Sequence, residues 1–413
     1  MMENQMTEQE LMTNVVLNDS KKYIMNNIKC QMNSQKKGTH CSIMLLSGPP
    51  GIGKSDIMEQ IARELKMGLN PQYLGTMLVE QFGMPLPTME KDATFQKWSQ
   101  PDFYSTANLR VKSPAMEPIR FEDGAAKITS VLESGDTIIL FLDDIHLATK
   151  TIQTYFFQLL TYRSIHNKKM PKNFVMIAAG NRSIDRAGSQ PIMAPIVNRF
   201  YMIDVIAKAE DWIDNFAIPN QLRHDIISFM GFYPSLLQNE PLESKAWASP
   251  RSWTYLSQEM TQMENDFGSL DIKDMSVMGK GHIGVDYTVK FIEYVKLFMK
   301  WDARRFLDGT PLPRIRDNGK IDNYTLMSAV VGELLKDARR TNWDMTDETM
   351  VKEVDIVKSL FEDMIEVCPM IVPLGLRSLI LSDKDVNQTA KMYAQLTSSE
   401  RLIGVMKEIL GQK

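Results

Sequence analysis

Ser47-Gly48-Pro49-Pro50-Gly51-Ile52-Gly53-Lys54-Ser55 has the spacing of a phosphate loop: Gly, four free positions, Gly, Lys, then Ser or Thr. Glycines let backbone N–H groups close around phosphate oxygens, where a bulky side chain would stand in the way. Lys54 has the length to reach outer phosphates, and the Ser55 hydroxyl can ligate magnesium. Gly48, Pro49, Pro50, Gly51, Ile52, Gly53, Lys54 and Ser55 are therefore the candidate nucleotide-binding residues. The flanks agree with this reading. Ile43-Met44-Leu45-Leu46 is an apolar run of the kind that makes a buried strand, and Ile57, Ile61 and Leu65 recur at helical spacing after the loop.

The full length of 413 residues sets bounds. A chain of this length exceeds what one hydrophobic core organises, so two or three units are expected. With 44% hydrophobic and 24% charged residues the composition is globular, and no apolar run approaches the roughly 20 residues needed to span a bilayer. The polar start MMENQMTEQE shows no secretory signal, which predicts a cytoplasmic protein without membrane partners. Cys30, Cys41 and Cys368 are few and scattered, and are expected as reduced thiols. The histidines lack ligand spacing, so no metal site built by protein side chains alone is expected. The formal net charge of −4 argues against a chain-wide basic field for nucleic acid, leaving room for a local patch.

Along the chain, Leu11 to Met32 predicts an opening helix or helix pair, closed by Lys36, Lys37 and Gly38. Tyr73 to Val79 predicts a second strand. From Glu80 to Pro118, five prolines break any long helix around Trp98, Phe103 and Tyr104; the stretch reads either as a surface loop system or as an insertion that engages a partner. Thr137 to Leu142, Phe174 to Ala178 and Phe200 to Val205 are continuous apolar runs expected as central parallel strands, with a helix over Thr151 to Leu160. The fold class is thus α/β, a parallel five-stranded sheet between helices. Beyond Ala207 the strand signals stop and helical periodicity continues, interrupted by an expected linker at Glu264 to Gly284. The implied domains are a core at 1–207, a helical lid at 208–265 and a C-terminal helical region at 283–413.

Five further positions carry candidate chemistry. Asp143 and Asp144 follow the strand TIILFL, where adjacent carboxylates would be costly without a cation or water. Asp143 is expected to hold magnesium and Asp144 to polarise the attacking water; a solvated strand end is the plainer alternative. Asn181, just past FVMIAAG, can direct its amide at a γ-phosphate or at water, or can simply be a turn residue. Arg199 in Asn198-Arg199-Phe200 presents the fixed, planar charge an arginine finger needs, with Arg182 and Arg186 as competitors. Arg251 opens a helix at Ser249-Pro250-Arg251, where it opposes the helix dipole, which points to an anion nearby or to plain solvent exposure.

Together these segments resemble the AAA+ ATPases, and among them the MoxR-like branch of bacteria and their phages. SGPPGIGKS resembles Walker A, TIILFLDDIHLA Walker B, IAAGNRSIDRAG the sensor 1 segment, PIVNRF the arginine-finger segment and SPRSW sensor 2. The resemblance implies a P-loop AAA+ core with an all-helical lid, ATP and Mg2+ as ligands, a homo-oligomer built as a hexameric ring, and a protein substrate or partner. It also implies the bacterial cytoplasm as the place of action, extra elements between Tyr73 and Thr137, and a hairpin within Tyr162 to Lys172. Asp144 departs from the family's usual Glu by one methylene, so slow turnover is expected. Two other readings use the same core: a motor or loader on nucleic acid, and a nucleotide-gated switch with negligible hydrolysis.

Overall fold

The computed structural model describes residues 15–90, 93–99, 101–104, 109–111, 137–166, 168–182, 185, 191–239, 245–308, 310, 319–341, 348–382, 391–392, 394–396, 398–399 and 401–405. The chain divides into two compact units, Met1–Ile206 and Ala207–Lys413.

The first unit opens with β1 (Val15–Val16) and α1 (Ser20–Lys37). It continues through β2 (Ile43–Ser47), α2 (Lys54–Glu64), β3 (Gly68–Tyr73), and a hairpin of β4 (Pro85–Glu90) and β5 (Ala93–Trp98). Then come β6 (Ile138–Asp143), α3 (Lys150–Tyr162), a small hairpin of β7 (Ser164–Ile165) and β8 (Lys168–Lys169), β9 (Phe174–Gly180), α4 (Ala194–Val197) and β10 (Phe200–Ile206). The main sheet runs β1-β10-β2-β9-β6-β3 with every pairing parallel. Four of its five longer strands, β2, β6, β9 and β10, are the expected ones. β2, which carries the phosphate loop, lies between β10 and β9, so the loop leaves the sheet at a central strand's carboxyl end, where open α/β sheets place ligands. β2, β6 and β9 are buried along their whole length, which is why their sequences read as unbroken apolar runs.

Several expectations change. Val15 and Val16, placed in a helix by periodicity, pair with Val205 and Ile206 as a sixth edge strand. A β-branched pair facing an open sheet edge satisfies ladder hydrogen bonds that an isolated helical turn would not offer. The second strand ends at Tyr73 instead of starting there. Pro71 hid it, and it is tolerated because β3 is the outer strand of this sheet. Gly38 closes α1 at φ 69°, and that turn brings Cys41 back to Cys30, whose Cα atoms lie 6.3 Å apart and whose sulfurs are joined as a disulfide. The expectation of reduced thiols is corrected for this pair; Cys368 is free and buried.

The insertion after β3 is partly core. Phe82, Phe103 and Tyr104 are buried with Phe156 and Phe174, so their rings anchor the loops that flank the β4–β5 hairpin. Trp98 at that hairpin's end stacks on His166 in the β7–β8 turn, with ring centroids 3.7 Å apart and planes within 6°. Tyr155 meets the same imidazole edge-on at 5.3 Å, and Phe82 stacks on Tyr155. The expected hairpin and the inserted one are thereby held together by a run of rings.

The second unit is helical: α5 (Ala209–Trp212), α6 (His224–Phe232), α7 (Pro250–Phe267), α8 (Ile272–His282), α9 (Val285–Met299), α10 (Ala303–Leu307), α11 (Lys320–Thr341), α12 (Glu348–Val367) and α13 (Ile371–Ser382). One cluster runs from Ala209 through Trp253, Phe291 and Phe361 to Leu402, so lid and C-terminal stretches share a core. The expected linker at Glu264 to Gly284 is mostly helix. Asp271 caps α8 by accepting the Asp274 N–H, and Met275 and Gly279 are buried in it. α13 went unseen because Pro373 and Gly375 look like breakers; Pro373 falls in the first turn, where its missing N–H costs little, and Gly375 makes room for the Phe361 ring. Most of Asp308 to Asp322, and parts of Asn387 to Leu410, lie outside the described residues.

Candidate functional site

The loop's glycines have specific work. Gly51 and Gly53 take φ 78° and 101°, conformations that favour glycine. A Cβ at Gly48 would stand 2.5 Å from the Val205 carbonyl oxygen, so the backbone can hug β10 only without a side chain. Pro49 and Pro50 lack an N–H; Gly51 to Ser55 supply the donors. α2 starts at Lys54 with no side-chain cap from Gly53, which leaves its first N–H groups and the positive end of its dipole for an anion.

Lys54 is 8% exposed and its ammonium donates to the Gly48 and Pro49 carbonyls and to Asn181 Oδ1, each at 2.9 Å. Ser55 Oγ donates to Asp143 Oδ2 at 2.6 Å. Asp143 is 5% exposed, and burial above all, then the charge of Asp144, lifts its carboxyl above the usual range against the pull of Ser55, the Asp144 N–H and Lys54. A buried carboxylate beside a hydroxyl, both oxygen donors, suits a small hard cation that would replace the lost hydration, so the pair fits magnesium. Among the described residues no cluster of three or more His, Cys, Asp or Glu is present.

Asp144 sits at φ 54°, ψ 41°, a left-handed conformation that Asp tolerates better than most residues. Its N–H donates to Asp143 Oδ1 at 3.0 Å. His146, two residues on and 2% exposed, was passed over in the sequence for want of ligand spacing. Its Nδ1 accepts the Asn181 backbone N–H at 3.0 Å and its Nε2 lies 3.2 Å from Asn181 Nδ2, so it joins the end of β6 to the end of β9. Burial holds its pKa below the ordinary value.

The arginines separate. Arg182 is locked to Asp185 through Nε at 3.1 Å and Nη2 at 2.9 Å, a paired fork on a buried carboxylate. Arg186 lies outside the described residues. Arg199 is held by neutral groups instead: Nε donates to Thr161 Oγ1 at 2.7 Å, Nη1 to the Pro195 carbonyl at 2.5 Å, and the guanidinium lies 4.3 Å over the Phe157 ring. It precedes Phe200, which pairs with Ile43 at the start of β2, while the phosphate loop follows Ser47 at the end of that strand. Arg251 is exposed in the first turn of α7, behind the Ser249 cap, in the helical unit.

Residues 44–203 match the family model described as "ATPase family associated with various cellular activities (AAA)". No curated protein matches the chain. Among solved structures, the Thermotoga maritima RuvB Holliday junction branch migration motor is similar at 14% identity over 86% of each chain, with a TM-score of 0.34. A variant of the same RuvB is similar at 15% identity over 71% of this chain and 78% of that one, also with a TM-score of 0.34. Likeness at that level carries no argument about function.

Proposed function

We propose that this chain, an ATP-hydrolysing enzyme by virtue of its AAA domain at residues 44–203, works as an oligomer whose ATP sites are completed by a neighbouring copy. The observation that supports it is the placement of Arg199. Five residues of β2, Ile43 to Ser47, separate its level in the sheet from the phosphate loop, about 17 Å of strand, which is more than an arginine side chain spans. Its guanidinium is held by two uncharged acceptors and a ring, and among the described residues no carboxylate pairs with it. Such a charge suits the phosphates of another copy, whereas Arg182 is neutralised by Asp185.

In this reading the Gly51 to Ser55 amides and Lys54 bind the phosphates. Ser55 and Asp143 hold magnesium, which when bound neutralises charge on the phosphate oxygens. Asp144 takes the proton of the attacking water, and Asn181 orients that water or the γ-phosphate. The finer assignment is a MoxR-like remodeller of partner proteins in the cytoplasm, supported by the paired hairpins at 85–98 and 164–169. No described helix is long and apolar enough to cross a membrane.

Mixing subunits tests the shared site. Lys54→Ala and Arg199→Ala proteins should each be inactive alone, and together should regain part of the steady-state ATPase, because a mixed interface holds an intact Lys54 opposite an intact Arg199. Mixtures as silent as their components would place both residues in one subunit's site and sink the proposal.

A second reading has its own observation. Between Asp144 and Asp185 there is no acidic residue, while Lys150, Arg163, Lys168, Lys169, Lys172 and Arg182 all occur, in a chain of net charge −4. Among the described residues no carboxylate pairs with Lys168, Lys169 or Lys172, and Tyr162 beside them is 68% exposed. Lysines around a free ring fit a nucleic-acid strand. If the ATPase acts on one, replacing the three lysines by Ala should lower the salt slope of single-stranded DNA binding by ~2 and abolish DNA stimulation; absence of any DNA binding at low salt would remove this reading.

A further inference from the structure

Asn181 is placed between two donors. Its side-chain oxygen accepts from the Lys54 ammonium at 2.9 Å, and its side-chain nitrogen faces His146 Nε2 at 3.2 Å. The ring's other nitrogen settles what Nε2 carries. Nδ1 accepts the Asn181 backbone N–H at 3.0 Å, so it has no proton, and a neutral imidazole then bears its single proton on Nε2. Nε2–H and Nδ2–H therefore confront each other. Turning the amide over mends that contact, since Oδ1 would accept from Nε2–H, but sets the amide nitrogen against the Lys54 ammonium. Either orientation satisfies one neighbour and not the other, and the holder of Lys54 decides between them.

We propose that His146 is a positioning residue for hydrolysis: when a triphosphate draws Lys54 onto its outer oxygens, the Nε2–H of His146 captures Asn181 Oδ1 and turns the amide nitrogen toward the γ-phosphate or the attacking water. The ring is fixed well enough for this. It is buried, its Nδ1 is pinned to the backbone of the residue it orients, and Gly180 leaves the space it needs: a Cβ there would lie 3.4 Å from Nδ1 and 2.9 Å from Ile145 Cγ2. Because Ile145 and His146 follow Asp143 and Asp144 in one short segment, occupation of the lysine is relayed to the metal-binding end of the sheet. The inference rests on Asn181 lying at the γ-phosphate.

The test compares kcat with ATP affinity in five variants of the full chain. His146→Phe keeps the ring's bulk without its nitrogens and should lose ~10-fold in kcat, about one oriented hydrogen bond, with ATP binding within about twofold of the parent. His146→Gln, whose amide reaches the Nε2 position, should regain most of the loss; His146→Asn, which reaches only the Nδ1 position, should not. In an Asn181→Ala background His146→Phe should cost nothing further, since residues acting as a unit are not additive. A His146→Phe enzyme as fast as the parent, Gln and Asn variants alike, or losses that multiply would each overturn the proposal. Should His146→Phe fail to fold, the Gln and Asn pair, both polar and close in size, still decides it. If Asn181→Ala is itself fully active, the placement of Asn181 is wrong; if Asn181→Ala is impaired and His146→Phe is not, only the role of His146 falls.

Discussion

The two units bury polar groups to different ends. In the nucleotide-binding unit Lys54 and Asp143 are nearly sealed from solvent, yet their partners are groups that a phosphate or a cation can replace: two loop carbonyls, an amide and a hydroxyl. In the helical unit several buried polar groups close on fixed protein partners. Arg223 pairs with Asp225 and Glu264, and Tyr294 and Tyr324 both donate to Ser228, to its Oγ and its carbonyl. The lesson is that burial alone does not mark a site; burial with displaceable partners does. Changes in the first unit should therefore cost turnover without stability, and changes in the second should do the reverse.

The most severe expected effect is that of Arg199→Ala, with turnover down roughly 10^3-fold, ATP binding kept and the melting temperature within a degree or two of the parent. A large fall in melting temperature would mean that its bonds to Thr161 and Pro195 are structural, and the comparison would break at that residue. Next is Trp253→Ala. This side chain is fully buried against Phe229 and Phe291 and donates to the Leu236 carbonyl, so its loss should cost about 4 kcal/mol in chemical denaturation of the helical unit. Equilibrium ATP binding should persist in the conditions where that unit stays folded.

Asp144 offers a finer probe. Asp144→Ala should slow single-turnover hydrolysis by ~10^2-fold. Asp144→Glu extends the carboxylate by one methylene and should speed it, at a cost of about 1 kcal/mol because Glu is less at ease than Asp at φ 54°. An unchanged rate for both would leave Asp144 outside the reaction.

The smallest effect is a pH dependence. Burial pushes the phenols of Tyr294 and Tyr324 above the ordinary tyrosine value of about 10. A folded-state pKa raised over the unfolded one means that the helical unit keeps this stability in full below about pH 10 and loses it as pH climbs through the folded value. Tyr294→Phe should lower stability at neutral pH by about 1 kcal/mol and flatten the alkaline loss, read from denaturant melts between neutral and alkaline pH. An alkaline slope identical to the parent's would show that this phenol stays solvated.

The strands that carry the loop, Asp143 and Asn181 were legible because burial on both faces imposes continuous apolar runs, and the loop itself because few residue types fit around phosphate. Edge and terminal pieces were not. Val15–Val16, β3 with its Pro71, α8 after Asp271 and α13 with its Pro373 have sequences that fit more than one local structure, and their neighbours chose. The Cys30–Cys41 bond belongs with these, since only the turn at Gly38 brings the two together.

For the site the division is similar. Residue types and order alone pointed to phosphate, an oxygen-bound cation and a water-directing carboxylate, because that chemistry is local to short segments. Tertiary structure decided the rest: that Arg182 is spent on Asp185 while Arg199 faces neutral groups at the other end of the sheet, and that His146 reaches Asn181. Those facts depend on which strand ends the sheet order brings side by side, a long-range outcome that no stretch of sequence encodes by itself.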